Sequence, residues 1–204
     1  MRERDPLDEP AADAALLARY LAGEARAMDA LVERHGALVY GFVRRSLGPG
    51  PGLDEQAQDV AQEVWLRALR GARGFDGRAR FTTWLLSIAR NACLDAQRAR
   101  ARRGRHEAAA DPPAGAAAFD PGPPVVDAVA RRELGALVEE GLAALPGAQR
   151  EALLLREGAL SVDEIAALTG VPRDTVKSRV RYALAALRRF LRQRLGREVS
   201  ARDL

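Results

Sequence analysis

Cysteine, histidine and aromatic residues are scarce in this sequence. Of 204 residues, one is cysteine and two are histidine, and aromatic residues make up 5%. The single cysteine, Cys93, cannot form an intrachain disulfide, and His35 and His106 do not have the spacing of a zinc site. We therefore expect a reducing, intracellular setting and neither a metal nor another cofactor.

Long apolar runs and alternating β-branched residues are also missing. A membrane span needs about 18 consecutive apolar residues, which occur nowhere, and the charged segment 1–10 lacks the apolar centre of a signal peptide. We predict a cytoplasmic protein without membrane insertion. The apolar residues, 48% of the chain and mostly Ala and Leu, favour helices over sheets.

Basic residues exceed acidic ones only slightly, 32 against 28, but they are nearly all Arg and they cluster. Clustered cationic side chains on a globular protein form either a solvated face or a nucleic-acid contact. Composition alone leaves both interpretations open, so the position of each cluster must decide.

Helical periodicity and turn residues divide the chain into two helical domains. Gly23 predicts a break between the first two helices, the loop Leu47–Leu53 contains Gly-Pro-Gly-Pro-Gly, and further helices are predicted from Asp54 and from about Phe81. The all-α prediction comprises a flexible tail 1–12, a helical domain 13–106, a flexible Pro/Ala/Gly-rich linker 107–127, a helix-turn-helix domain 128–195 and a tail 196–204.

The segment from Ser161 to Phe190 predicts the helix-turn-helix. Ser161 and Glu164 match a capping box that opens a helix from Val162 to Leu168, Gly170 ends that helix, and Pro172 favours the start of the next. The predicted inward positions take helical steps except at the turn: Ile165, Leu168, Val171, Val176, Val180, Leu184 and Leu187.

The side of the second helix opposite this stripe carries groups suited to the major groove. These residues are Asp174, Thr175, Ser178, Arg181 and Tyr182. Arg173, Lys177 and Arg179 flank them and are predicted to contact phosphates, which strengthens binding without reading the sequence. For each of these residues a solvated helix face is the alternative.

Three motifs, in this order, resemble those of the extracytoplasmic-function (ECF) sigma factors of the sigma-70 family. They are Asp59-Val-Ala-Gln-Glu-Val-Trp-Leu-Arg-Ala-Leu69, Phe81-Thr-Thr-Trp-Leu-Leu-Ser-Ile-Ala-Arg-Asn91, and Leu145-Pro146 with Glu164-Ile-Ala, Gly170-Val-Pro172 and Thr175-Val-Lys-Ser-Arg179. The resemblance covers nearly the whole chain and implies a factor that directs RNA polymerase to promoters without catalysing a reaction.

The resemblance also implies the partners. RNA polymerase core would be bound through its β′ clamp helices and β flap, promoter DNA through its downstream (−10) and upstream (−35) elements, and an anti-sigma factor would hold the protein inactive. The polymerase-binding candidates are Asp59, Gln62, Glu63 and Arg67, whose alternative is an ordinary solvated helix face.

Asn91 is the implied contact to a flipped base of the downstream element, because an amide can donate to and accept from a base edge. Its alternative role is a helix cap. The implied phosphate contacts are Arg90, Arg98, Arg100, Arg102, Arg103 and Arg105. Trp65 and Trp84 lie on apolar stripes and are predicted to be core residues.

Two other functions remain open on the sequence. A conventional repressor or activator would use the same helix-turn-helix, although it usually adds a dimerisation or ligand domain. A recombinase or transposase would need an activated nucleophile or three carboxylates gathered on a sheet, and no strand pattern is evident.

Overall fold

The computed structural model describes residues 10–106 and 126–195, and all regular structure in these ranges is helical. The helices are α1 (Pro10–Leu21), α2 (Ala25–Leu47), α3 (Leu53–Gly71), α4 (Phe81–His106), α5 (Val126–Ala143), α6 (Gly147–Glu157), α7 (Val162–Thr169) and α8 (Arg173–Leu195), with a 3-10 turn at Ala72–Gly74. Helices α1–α4 belong to one compact unit and α5–α8 to a second. The predicted all-α fold is confirmed.

Two helix starts differ from the sequence prediction. Helix α1 begins at Pro10, inside the predicted tail, because proline is well suited to the first turn of a helix. Helix α5 begins at Val126, inside the predicted linker. Segments 107–125 and 196–204 lie outside the described residues.

In the first unit, α2 lies at the centre and packs against α1, α3 and α4. The core is formed by fully buried side chains on α2, α3 and α4: Leu31, Val39, Val43, Val64, Phe81, Leu85 and Leu86. Gln97 of α4 donates to the Ser46 carbonyl near the end of α2 at 2.8 Å. Trp65 and Trp84 are half-buried at the edge of this core rather than fully inside it.

A buried polar cluster fastens α1 to α2. The carboxylate of Asp13 is 2% exposed and accepts from Arg34 Nη1 at 2.7 Å, while its other oxygen lies 2.9 Å from Nε2 of the fully buried His35. Burying a carboxylate is costly unless it is paired and hydrogen-bonded. Arg34 and His35 of α2 pair with the Asp13 carboxylate only when α1 packs against α2 at this position.

In the second unit, α8 is the central element and packs against α5, α6 and α7. Its buried stripe consists of Val176, Ala183, Leu187 and Leu191. The sequence prediction was therefore partly wrong, because Val180 and Leu184 are only half-buried. The buried stripe also includes Ala183 and extends to Leu191, because α8 continues past the helix-turn-helix and packs there against α5, where Leu187 and Phe190 lie next to Gly141.

A glycine sets how closely α5 approaches α8. A Cβ at Gly141 would lie 2.5 Å from Leu187 Cδ1 and 2.9 Å from Phe190 Cδ1, whereas a Cβ at Gly135 of the same helix meets nothing within 4 Å. The contact is reinforced by an ion pair between Glu140 and Arg194. Gly141 is thus required by packing, and Gly135 is not.

We predict opposite effects of alanine at these two glycines. Gly141→Ala forces Leu187 and Phe190 to move, and overpacking of about 1–3 kcal/mol should outweigh the gain of about 1 kcal/mol in helix propensity. Gly135→Ala should raise the stability by roughly 0.5–1 kcal/mol. Calorimetric unfolding of the full chain measures both, and a Gly141→Ala variant as stable as Gly135→Ala would contradict the packing assignment.

Candidate nucleic-acid interface

Local hydrogen bonds and a glycine fix where α7 begins, where it ends and where α8 follows. Ser161 Oγ accepts from the Glu164 backbone N–H at 3.2 Å, and Glu164 Oε2 accepts from the Ser161 backbone N–H at 2.8 Å, which is the predicted capping box. Gly170 ends α7 in the left-handed conformation, with φ +69°, where a Cβ would be strained. Helix α8 follows at once, because the Pro172 carbonyl accepts from the Val176 N–H at 3.1 Å.

The outer face of α8 presents a polar surface opposite the buried stripe. Arg181 and Tyr182 are exposed, the latter by 54%, and Ser178 and Thr175 are half-buried. The Arg181 guanidinium lies 5.0 Å from the centre of the Tyr182 ring, and its Nη2 donates to the Tyr182 hydroxyl at 3.3 Å. This stacking holds the guanidinium in place before any ligand binds.

The predicted phosphate-contacting side chains of α8 differ in exposure: Arg173 and Lys177 are exposed, and Arg179 is half-buried. Lys177 is exposed and lies about 40° around the helix beyond Arg181, at the flank of the outer face. Asp174 holds the Lys177 ammonium at 3.2 Å, and Asp163 of α7 holds Arg173 at 2.8 Å. Arg179 is half-buried on the far side of the helix.

Helix α4 carries a second polar face, on the first unit. Asn91, Asp95, Arg98 and Arg102 are all exposed and share one side of the helix, at spacings of four, three and four residues. This line contains three of the predicted downstream-element residues and adds Asp95, which the sequence analysis did not single out.

The other predicted arginines of α4 lie elsewhere. Arg100 is exposed about 180° from Asn91, on the opposite side of the helix, and Arg90 is half-buried and has a polar partner. The side chains of Arg103 and Arg105 lie outside the described residues. The predicted set therefore does not form one continuous face on α4.

The loop between α3 and α4 adds arginines that the sequence analysis also missed. Arg73 and Arg78 are exposed there. Phe75 anchors the loop by packing edge-on against Phe81, with ring centres 6.1 Å apart, and tilted against Trp84 at 5.2 Å. Arg73 and Arg78 lie outside the long helices, so no helical periodicity in the sequence points to them.

The polymerase-binding candidates all lie on α3, but they differ in availability. Asp59 and Gln62 are exposed, whereas Glu63 and Arg67 are half-buried. Arg67 Nε donates to Glu63 Oε1 at 2.8 Å, and Arg67 Nη1 donates to Asp95 Oδ2 of α4 at 2.8 Å. Leu66, 39% exposed, adds an apolar group between these polar side chains.

These bonds shift the protonation of the groups they join. The pKa of the Asp95 carboxyl is lowered, chiefly by the hydrogen bond from Arg67, and the pKa of Arg67 is raised, chiefly by its bond to Glu63. The pKa of Asp95 is lower in the folded protein than in the unfolded chain. The ion pair with Arg67 therefore stabilises the fold at pH values above the pKa of Asp95 in the unfolded chain, and this contribution is lost as the pH falls through its pKa in the folded protein.

Neither a metal site nor a membrane span is present in residues 10–106 and 126–195. In these ranges no group of three His, Cys, Asp or Glu side chains could hold a metal ion. No helix of the described chain is long and apolar enough to cross a membrane.

The lowered pKa of Asp95 depends mainly on the guanidinium of Arg67, with a smaller contribution from Arg98. We predict that Arg67→Met raises the pKa of Asp95, because the bond that lowers it is lost. The measurement is the pH titration of the Asp95 side-chain carboxyl carbon by NMR in both proteins. Arg19→Met, which removes an exposed ion pair with Glu24 elsewhere in the same unit, is the control and should leave the Asp95 titration unchanged; an unchanged Asp95 pKa in Arg67→Met would contradict the assignment.

Two family models match the chain. The model described as Sigma-70 region 2 matches residues 31–103, which run from α2 into α4, and the model described as Sigma-70, region 4 matches residues 136–187, which run from α5 into α8. The polar faces of α3, α4 and α8 all lie within these ranges.

Relatives and solved structures agree with these matches. The chain is 36% identical over 180 residues to the ECF RNA polymerase sigma factor SigM of Mycobacterium tuberculosis, covering 88% of this chain and 84% of the relative. It is 34% identical over 187 residues to the RNA polymerase sigma-H factor of Pseudomonas aeruginosa, covering 88% and 93%. The structure of CnrH in complex with the cytosolic domain of CnrY superposes with a TM-score of 0.61 at 27% identity, covering 89% and 98%.

The order of the motifs, the two helical units and these matches all agree. The chain belongs to the ECF group of the sigma-70 family.

Proposed function

We propose that this protein is the sigma subunit that directs RNA polymerase core to a specific set of promoters. The observation that carries the proposal is the presence of two exposed, Arg-bearing helix faces, on α4 and α8, in two separate units of one chain. A single helix-turn-helix accounts only for DNA binding, whereas a second polar face in another unit supports reading of a second promoter element.

Helix α8 reads the upstream (−35) element in this proposal. An exposed helix face opposite a buried stripe fits the major groove, where base edges present a distinct pattern for each base pair. Ser178, Arg181 and Tyr182 provide hydroxyl and guanidinium groups for base contacts. Arg173, Lys177 and Arg179, with Thr175 and Asp174, complete the proposed interface.

Helix α4 contacts the downstream (−10) element. Asn91 contributes the amide that binds a base, and Arg98 and Arg102 on the same face bind phosphates of the separated strand. The exposed Arg73 and Arg78 extend this basic surface along the α3–α4 loop. Because these contacts are electrostatic, the affinity should fall steeply with rising salt.

Helix α3 binds the polymerase core. Its exposed Asp59 and Gln62 and the half-buried Glu63 form a polar, mainly acidic face that suits a charged coiled coil such as the β′ clamp helices. Leu66 adds an exposed apolar side chain to this face, which a partner could cover. The second unit would bind the β flap.

An anti-sigma factor is the proposed regulator, and the cytoplasm is the proposed site of action. Support for the regulator comes from the similar CnrH, whose solved structure contains the cytosolic domain of CnrY. A conventional repressor is not favoured, since matches to both sigma-70 regions occur in this chain. The protein would have no catalytic activity of its own.

Run-off transcription tests the proposed function. Purified polymerase core from the source organism is supplied with a genomic library, with and without this protein. We expect discrete transcripts only when the protein is present. A protein that binds duplex DNA by itself but never associates with the core or produces a transcript would refute the proposal.

Alanine at Ser178, Arg181 or Tyr182 should change promoter choice without affecting assembly. Loss of a base contact costs about 1–3 kcal/mol at the matching base pair, so transcription from the best promoter should fall about tenfold or more and tolerance for changes in the upstream element should rise. The readout is run-off transcription from promoters with each upstream base replaced in turn.

The matched control for these variants is Arg156→Ala. Arg156 lies on α6 and donates to the Leu160 carbonyl at 2.8 Å, and no base contact is proposed for it, so its removal should leave base preference unchanged. Co-elution with polymerase core should also be the same for all variants. Base preferences identical to those of the wild type in all three variants would contradict the assignment of α8.

A further inference from the structure

A chain of ion pairs runs from the exposed face of α3 to the exposed face of α4. Glu63 binds Arg67 at 2.8 Å, Arg67 binds Asp95 at 2.8 Å, and the other oxygen of Asp95 lies 3.4 Å from Arg98 Nη1. Arg70 also approaches Glu63, at 4.0 Å. The chain therefore joins a residue of the proposed polymerase surface to a residue of the proposed promoter surface.

The two central groups are each shared between two partners. Arg67 is the only cation bonded to both helices in this chain of pairs, since its Nε serves α3 and its Nη1 serves α4. Asp95 divides its two oxygens between Arg67 and Arg98. A change in charge next to Glu63 should therefore alter how strongly Arg67 holds Asp95, and hence how strongly Asp95 holds Arg98.

From this arrangement we propose that Arg67 is a positioning residue that couples polymerase binding at Glu63 to DNA binding at Arg98. The proposal rests on the function proposed above and names a regulatory link between its two surfaces. Arg67 itself touches neither ligand. This assigns Arg67 a different role from the polymerase contact that the sequence analysis expected.

The sign of the coupling follows from the charges. When a cationic side chain of the polymerase binds Glu63, Arg67 has Asp95 as its remaining carboxylate partner. The Asp95 charge is then better neutralised, its attraction for Arg98 weakens, and the Arg98 guanidinium is released for a phosphate. Polymerase and DNA should therefore strengthen each other's binding, and by the same factor.

The magnitude should be modest. The side chains of Arg67, Glu63, Asp95 and Arg98 are 35%, 39%, 50% and 67% exposed, and exposed ion pairs are screened by water. We expect the core to raise the affinity of the protein for a DNA strand about three-fold through this route. The effect should decrease at high salt.

Strand binding with and without the core tests the coupling. The probe is a fluorescent single-stranded oligonucleotide carrying the non-template downstream element of a promoter that the full-length protein transcribes. Its Kd is measured for the free protein and for the protein–core complex. The coupling is expressed as the ratio of the Kd of the free protein to the Kd of the protein–core complex. This ratio should be about three-fold larger in the wild type than in Arg67→Met.

Two isosteric variants separate coupling from folding. Asp95→Asn should release Arg98, strengthen strand binding by the free protein about two-fold and reduce the ratio. Glu63→Gln leaves Arg67 with Asp95 as its carboxylate partner, so it too should strengthen strand binding by the free protein and reduce the ratio. Because Glu63 is also a proposed polymerase contact, its complex is measured at a saturating concentration of core. Arg19→Met removes an exposed ion pair on α1 and should leave the ratio unchanged. If Arg67→Met fails to fold, the two isosteric variants decide.

Ratios equal to the wild type in Arg67→Met, or in both isosteric variants, would overturn the coupling while leaving the proposed function intact. If the wild-type protein with core neither transcribes nor binds any promoter strand, the proposed function fails and the coupling fails with it. The two failures are thus distinguished by the wild-type measurements alone.

Discussion

An amphipathic helix has to bury one side, and this requirement fixes which side it presents to a ligand. In α8 the buried residues Val176, Ala183 and Leu187 hold the helix against α5 and α6, so Arg181 faces outward. In α4, Phe81, Leu85 and Ala89 are buried in the first core, so Asn91 and Arg98 face outward. The orientation of both proposed DNA faces therefore depends on ordinary core packing, and in α8 on the close approach that Gly141 permits.

Both faces combine cations with a nearby carboxylate. On α8, Asp174 holds Lys177, and on α4, Asp95 contacts Arg98, each pair being three residues apart. A phosphate must displace the carboxylate before it can bind such a cation, which weakens sequence-independent binding by the fraction of a kcal/mol that an exposed pair contributes. This arrangement favours contacts that also read a base.

Local signals in the sequence predicted much of this structure. The capping box at Ser161, the break at Gly23 and the turn at Gly170 depend on neighbouring residues alone, and all are present in the structure. The half-burial of Val180 and Leu184 could not be predicted, because it depends on how α8 packs against helices that are distant in the sequence. The ion pair between Arg67 and Asp95 could not be predicted, because the two residues are 28 positions apart in the sequence.

The central claim is that α8 and α4 contact different promoter elements, and site-specific cross-linking tests it most directly. A photoreactive amino acid replaces Ala185 on α8 or Ala101 on α4, two exposed alanines to which no contact is assigned. In the open complex of polymerase at a promoter that the protein transcribes, position 185 should cross-link to the upstream duplex and position 101 to the downstream element. Cross-links from both positions to the same element would contradict the account.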